Sequence, residues 1–306
     1  MKKTIKIPLI SQSKLYVVAT PIGNMQDITK RALHILKNAN LIAAENIKHT
    51  NILLKNFSIK NKKILILHNH NEKTQTKILL KKLSDGKSIA LVSNAGTPLI
   101  NDPGYLLVKQ CHKNKIPVIP VPGACAAISA LSVSGLKTNK FCYEGFLPKK
   151  QQLRLKYLKK LKEESRTIIF YESCHRLLNT IKDILLIFGT KRKITLAKEL
   201  TKKWEKIYKE PSKMILHRIK NDKNLQKGEI VLLIEGNNSI QKNNNIIKAI
   251  QTIYILKQEI SLKQSTKLVE KIFNIKKNIL YKEFIKSQKK SIKQNKKLYN
   301  IIKRVS

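Results

Sequence analysis

The 306-residue chain has no glycine after Gly236 and no proline after Pro211, so its last 70 residues lack the two residues that most often punctuate turns. That argues against a loop-rich ending and predicts a separate helical tail. Cysteine is scarce too. Cys111, Cys125, Cys142 and Cys174 are widely spaced and form no CxxC pair, which excludes a disulfide framework and gives no zinc signature, so all four are expected to be reduced and structural. No stretch approaches the roughly 18 uninterrupted apolar residues of a membrane-spanning helix. The apolar part of MKKTIKIPLISQSK is too short for a secretory signal, and a cytoplasmic location is the expectation.

Acidic residues are also few: 19 stand against 62 Lys and Arg, giving a net charge of +43. Such a charge predicts attraction to polyanions and salt-dependent binding to nucleic acid. Only seven of the basic residues are arginine, and the lysines travel with abundant Asn and Ile, the pattern of A+T-rich coding. Charge by itself is therefore weak evidence for an RNA partner.

What is present is order. Apolar residues make up 42% of the chain, enough to exclude a wholly disordered protein, and the length suits two compact domains. Strand-like runs KLYVVAT (14–20), NLIAAE (40–45), KILILH (63–68), SIALVS (88–93) and IPVIPV (116–121) alternate with helical stretches, which predicts an α/β domain with a mainly parallel sheet. A second set follows: KFCYEGF, RTIIFYE, KITLAKEL, WEKIYKE and GEIVLLIEG as strands, with ESCHRLLNTIKDILLIF among the helices. We place domains at 1–122 and 123–238 and a basic helical domain at 245–306. Several strands of these runs end in small or polar residues: ATPIGN, AEN, SNAGTP and PGACAA. Ligands of α/β sheets gather at the carboxyl ends of strands, so these ends predict a ligand cleft between the two α/β domains, with the backbone of 93–98 as one wall.

These segments carry a resemblance. LYVVATPIGNMQDITKRAL, LIAAENIKHT, LVSNAGTPLINDPGY, VPGACAAISALSVSGL, FCYEGFLPKK, FYESCHRLL, AKELTKKWE and KGEIVLLIEG follow the order and spacing of the small-subunit ribosomal RNA methyltransferase I family, over nearly the whole chain. That family is similar in type to the tetrapyrrole methylases, with S-adenosylmethionine (SAM) bound between two α/β domains and the protein usually a homodimer. The resemblance implies 2′-O-methylation of a cytidine ribose in the decoding region of 16S rRNA. It also implies cofactor contacts from Thr20, Pro21, Ile22 and Gly23, from Asn94, Ala95, Gly96, Thr97 and Pro98, and from Cys125, Ala126, Tyr171 and Ala197. In the family pattern Asp is expected where this chain has Asn46 and Asn94, Arg where it has Lys48, and Pro where it has Ala124. An amide oxygen replaces a carboxylate as hydrogen-bond acceptor but not as a base or a counter-charge.

Methyl transfer to a ribose hydroxyl needs alignment of two atoms and help with one proton, and no metal. Strand-end placement in matched motifs singles out Glu45, Glu172 and Glu199 as catalytic carboxylates. His49, Glu72, Glu144, His175 and Lys198 are weaker candidates. Arg176 and Lys202 suit phosphate better than proton transfer. HNHNE (68–72) lacks a set of ligands at metal spacing, so no metal site is expected.

Residues 237–306 hold 17 basic and three acidic residues on segments of helical period. Three apolar stripes predict three short packed helices: Ile246, Ile247, Ile250, Ile253 and Tyr254; Leu262, Val269, Ile272 and Phe273; and Ile275, Ile279, Leu280 and Phe284. Lys276, Lys277, Lys282 and Lys286 would then face RNA, much as in a helix-turn-helix element, on a lysine face that runs on through Lys289 and Lys290; the lysines after 289 read better as a solvated face left by A+T-rich coding. Two other readings fit parts of the sequence: a non-catalytic RNA-binding relative, which needs only basic surfaces, and a methylase of a small tetrapyrrole, which leaves the basic tail idle.

Overall fold

The structure is a computed structural model that describes residues 13–288, the side chains of 238–244 excepted. Lys289, Lys290 and most of the first fourteen residues named above lie outside the described residues. All ten strand-like runs form strands. In the first half β1 (Leu15–Val18), β2 (Leu41–Ala44), β3 (Ile64–Ile66), β4 (Ile89–Val92) and β5 (Val118–Val121) make a wholly parallel sheet of order β3-β2-β4-β1-β5. Between them run α1 (Lys30–Asn38), α2 (Ile47–Asn56), α3 (Glu72–Ser84) and α4 (Tyr105–Lys113).

Every residue of β2 and β4 is buried, because helices cover both faces of a parallel sheet. Alternate side chains go to opposite cores. Tyr16, Val18, Ile42, Ala44, Ala90 and Val92 pack with Ala32, Ile35 and Leu36 of α1 and Leu53 and Leu54 of α2. Leu15, Leu41, Ala43, Ile89 and Leu91 pack with Leu79 and Leu83 of α3 and Leu107 and Cys111 of α4. The helix that follows β1 and the helix that follows β4 thus lie on opposite faces, although the two strands are neighbours.

The second sheet has the order β6-β7-β10-β8-β9 and is mixed. Its strands are β6 (Phe141–Phe146), β7 (Thr167–Ser173), β8 (Lys193–Lys198), β9 (Lys206–Pro211) and β10 (Glu229–Ile234), preceded by α5 (Ala126–Val133) and interleaved with α6 (Gln151–Leu161), α7 (Leu177–Phe188) and α8 (Ser212–Asn221). β6 and β7 are parallel, and the other pairs antiparallel. One face packs on α6, α7 and α8 through Leu158, Ile168, Phe170, Ile181, Ile184 and Ile215. The other carries Ile169, Ala197, Val231 and Leu233 against Ala127, Ala130 and Leu131 of α5.

The helix expected from Glu172 starts later. Glu172 and Ser173 still belong to β7, Cys174–Arg176 form a 3-10 turn, and α7 begins at Leu177. Pairing of Glu172 with Ile230 of β10 extends the strand past the point where helical periodicity begins.

Both sheets fall in one compact unit, 13–162 with 166–235 among the described residues; 163–165 and 236–288 form a second. The second unit contains α9 (Asn238–Leu256), α10 (Leu262–Phe273) and α11 (277–288). Ala249, Ile250, Ile253, Val269, Leu280 and Phe284 are its core. Of the expected stripes, Ile247, Tyr254, Ile272 and Ile279 are instead exposed. Three short helices bury a narrower stripe each than periodicity alone suggests. Ser261 opens α10 with a reciprocal capping box to Gln264, which fixes where this helix starts.

Asn46 occupies the N-cap of α2, where its Oδ1 accepts from Lys48 N at 2.8 Å and His49 N at 3.4 Å. This is work an amide oxygen does as well as a carboxylate. Asn46→Ala should therefore cost about 1 kcal/mol of stability, whereas Asn46→Asp should be neutral or add about 0.3–1 kcal/mol through the helix dipole. Urea unfolding reads both; an alanine variant as stable as the parent contradicts the capping role.

Candidate active site

β1 and β4 are adjacent strands whose helices leave to opposite faces, and a crevice opens beyond their carboxyl ends for that reason. The loop after β4 forms its floor. Thr20 N donates to Gly96 O at 2.9 Å and Gly96 N to Thr20 O at 3.0 Å, tying the ends of the two strands together. Gly96 has φ +81°, and a Cβ there would lie 3.2 Å from Ile22 Cγ2. Thr97 Oγ1 donates to Ala124 O at 2.9 Å, which fixes the loop to the segment entering α5. Leu99 and Asn101 both have φ 72°, a left-handed conformation that is strained for a bulky residue such as leucine. Glu72 anchors the far end, accepting from Gly104 N at 2.9 Å and Leu106 N at 2.8 Å. Glu72, a weak catalytic candidate, is thereby committed to the start of α4.

Above this floor is a cavity of about 460 Å³. Ile22, Ala95, Gly96, Thr97, Cys125, Ala126, Tyr171 and Ala197, all expected at a cofactor site, line it. Tyr171 is held by Ala127 N, which donates to its hydroxyl at 3.3 Å, and by edge contacts with the rings of Tyr143 and Phe146 at 5.1 and 5.8 Å. Burial raises the Tyr171 phenol to about 12, so it stays neutral. The remaining expected residues divide differently. Thr20, Pro21, Gly23 and Asn94 line a second cavity of about 190 Å³, together with Met25, His49, Thr50, Leu53 and Ser93. Ile22 and Ala95 border both cavities. Pro98 is buried and borders neither.

The three carboxylates expected to be catalytic have separate environments. Glu172 borders the larger cavity, but its Oε1 accepts from Ser173 N, Arg176 Nε and Arg176 Nη2, and its Oε2 from Thr180 Oγ1 at 2.6 Å. Glu199 has φ 51° and accepts from Glu229 N at 2.8 Å and Lys202 Nζ at 3.1 Å. Burial works against its charge, yet these donors hold its carboxyl below the usual range. Glu45, half-buried after β2, borders neither cavity, though its charge acts on a neighbour described below.

The cations are likewise engaged. Arg176 also donates to Leu147 O at 3.1 Å, and Lys202 bridges Glu199 and Glu229, the latter at 3.0 Å. Glu144 accepts from the Tyr157 hydroxyl, His175 borders the larger cavity, and Lys198 is buried in β8. In the second unit Lys276 and Lys282 are exposed, Lys277 N donates to Glu270 at 2.8 Å, and Lys286 pairs with Glu283 at 2.7 Å. Among the described residues no three His, Cys, Asp or Glu are grouped as a metal site.

Sequence reasoning missed Asp102, Ile100, Asn101, Phe146 and Glu229, all of which border the larger cavity. Asp102 is the most informative of them. Burial pushes its carboxyl up to about 6, opposed in part by the neighbouring Ser93 hydroxyl and reinforced by the charge of Glu45. The signal that could have found it is plain: it is the only acid in LVSNAGTPLINDPG. Of the cavity's carboxylates, Glu172 is saturated with donors and Glu229 is largely exposed and paired with Lys202. Asp102 is the cavity carboxylate that burial pushes toward neutral pH.

Comparison with known proteins bears on this arrangement. Residues 14–215 match the family model of the tetrapyrrole (corrin/porphyrin) methylases. The chain is 54% identical over 278 residues to ribosomal RNA small subunit methyltransferase I of Buchnera aphidicola subsp. Schizaphis graminum, covering 90% of this chain and 97% of that one. It is 49% identical to the protein of the same name in Escherichia coli O157:H7, covering 91% and 96%. Among solved structures, uroporphyrin-III C-methyl transferase from Thermus thermophilus, complexed with S-adenyl homocysteine, shares the fold at a TM-score of 0.52, with 14% identity and 72% of this chain and 96% of that one covered.

The raised Asp102 has a consequence for stability. Its folded carboxyl binds a proton more tightly, at about 6 against an ordinary 3.8, so its contribution to folding is full below pH 3.8 and is lost as pH rises through 6. Asp102→Asn should therefore gain stability relative to the parent as pH rises through 6, and the gap should be flat above that. Melting temperatures across the range check it, and parallel curves for the two proteins contradict it.

Proposed function

The chain belongs to the tetrapyrrole methylase family and, within it, to the ribosomal RNA small subunit methyltransferases I, and from that membership we propose that it transfers the methyl group of SAM to a 2′-hydroxyl of a cytidine ribose in small-subunit rRNA. The larger cavity carries this reading. Its floor is backbone fixed at Ala95–Thr97, its walls are small or apolar, and it contains a half-buried carboxylate; together these fit an adenosyl group bearing a cationic sulfur. When bound, SAM supplies an electrophilic methyl group.

The chain's own residues supply position and a proton acceptor. Gly96 keeps the floor low enough for a ligand to meet backbone, and Tyr171, Ala126 and Ala197 shape the opposite wall. Asp102, ionised above about pH 6, takes the proton that the ribose hydroxyl gives up as its oxygen is methylated. Glu172 and Glu199 act through their partners: Glu172 orients Arg176 and closes the end of β7, and Glu199, paired with Lys202, accepts from Glu229 N and packs against Gly228, whose φ is +81°. The exposed Lys276 and Lys282 of the second unit, with Lys277 and Lys286, hold RNA phosphates. The domains 1–122, 123–238 and 245–306, a homodimer, and action in the cytoplasm on the small ribosomal subunit complete the reading. Trp204 and Ile207, exposed before and on edge strand β9, are apolar surface that a second copy would cover. Among the described residues no helix is long and apolar enough to cross a membrane.

Mapping of 2′-O-methyl groups on small-subunit rRNA, with and without this protein, tests the function: one cytidine should gain the group, and an unchanged map rejects it. Gly96→Arg should abolish SAM binding in calorimetry while the protein stays folded. At saturating SAM, Asp102→Asn should lower kcat by about 10²–10⁴-fold; a kcat within threefold of the parent removes Asp102 as the proton acceptor. Deleting 245–306 should leave SAM affinity intact, weaken binding to small-subunit particles and flatten its salt dependence by about 0.7–0.9 log units for each phosphate that the tail neutralises. An unchanged salt slope removes the tail from the RNA interface.

A further inference from the structure

We propose that the smaller cavity receives the base of the nucleotide being methylated and that Asn94 reads that base's hydrogen-bonding edge. The inference rests on the assignment of the larger cavity to SAM.

The two cavities share Ile22 and Ala95 as a common border. A methyl acceptor has to bring its oxygen within about 3–3.5 Å of the reacting carbon. The acceptor nucleotide must therefore occupy space that adjoins the cofactor, and the smaller cavity adjoins it directly. Size points the same way: about 190 Å³ is below the roughly 300–1,000 Å³ of sites that enclose whole small molecules. It suits a single ring rather than a second cofactor.

The lining suits a base. Pro21, Met25 and Leu53 offer apolar surface to the flat faces of a ring, and Asn94 and His49 offer polar groups at its edge. Neither the Asn94 amide nor the His49 imidazole is given a side-chain hydrogen bond by any described residue, so both are available to a ligand. The amide places an acceptor beside a donor. Cytosine presents the complementary pair, an amino donor beside a ring-nitrogen acceptor. An aspartate at 94 would satisfy only the amino group. A base enters such a cavity only when out of its stack, as in the single-stranded segments where RNA is read base by base.

The test uses the full chain, SAM, and small-subunit particles lacking the methyl group. Asn94→Ala should lower kcat/KM for the particles by about 10- to 100-fold, the worth of one paired base edge, and leave the SAM dissociation constant within twofold. Asn94→Asp should lose less than Asn94→Ala, and His49→Ala should lower kcat/KM without changing SAM affinity. On particles with an abasic acceptor nucleotide, the parent and Asn94→Ala should become equal. A fall in SAM affinity that matches the fall in methylation assigns the smaller cavity to the cofactor and overturns the proposal. So does an unchanged kcat/KM, or an Asn94→Ala defect that persists on the abasic acceptor. If the parent protein methylates no particle, the rRNA assignment fails and this inference with it; a methylating parent with indifferent variants sinks the inference alone.

Discussion

The backbone hydrogen bonds between Thr20 and Gly96, at 2.9 and 3.0 Å, are the constraint on which both cavities depend. They clamp together the loops that leave two neighbouring strands, just where the chain's helices part to opposite faces of the sheet. Gly96 can make the clamp because its φ of +81° is open to glycine and because a side chain there would press on Ile22. Thr97, bonded to Ala124 O, carries the same rigidity across to α5, and Glu72 holds the other end of the loop at Gly104. Between these anchors Leu99 and Asn101 are held in left-handed conformations that an unanchored loop would leave. Asp102 follows them on the cavity wall. A preformed floor of this kind lowers the ordering cost of binding a ligand through backbone.

The scarcity of acids makes their distribution informative. With 19 acidic residues among 62 cations, carboxylates could all have been neutralised by nearby lysines or arginines. Several are: Glu199 between Lys202 and the Glu229 amide, Glu172 between Arg176 and Thr180, Asp183 with Arg154 at 2.6 Å. Asp102 is different, because burial and Glu45 oppose its charge and no cation is set against it as the main effect. A carboxyl left near neutrality beside an apolar cavity is suited to moving a proton, whereas one fixed by several donors is suited to holding a shape.

Much of the fold was legible in the sequence. The ten strand runs and the helical tail are written in apolar periodicity and in the positions of Gly and Pro, which are local properties. The SNAGTP loop and most of the larger cavity's small residues were legible for the same reason. The division of the expected cofactor residues was not: Thr20, Pro21, Gly23 and Asn94 look continuous in sequence with Ile22 and Ala95, and only the fold distributes them over two cavities that share those two residues as a border. The surroundings of the carboxylates were not legible either, since strand-end position says where Glu172 and Glu199 lie but not which donors surround them. Asp102 lay in plain view as its loop's single acid, yet its importance comes from burial and from Glu45, distant by 57 positions in the chain. In the tail, Ile272 and Ile279 fit the helical period but exceed what three short helices can bury.

A crystal structure with S-adenosylhomocysteine bound would test the central claim most directly. The account predicts the ligand in the larger cavity, its contacts running along the Ala95–Thr97 backbone to Cys125 and Ala126, with Asp102 beside the sulfur and the space bordered by Thr20, Asn94 and His49 left free. A ligand lying instead in that smaller space, or bound without contact to the clamped loop, would contradict it.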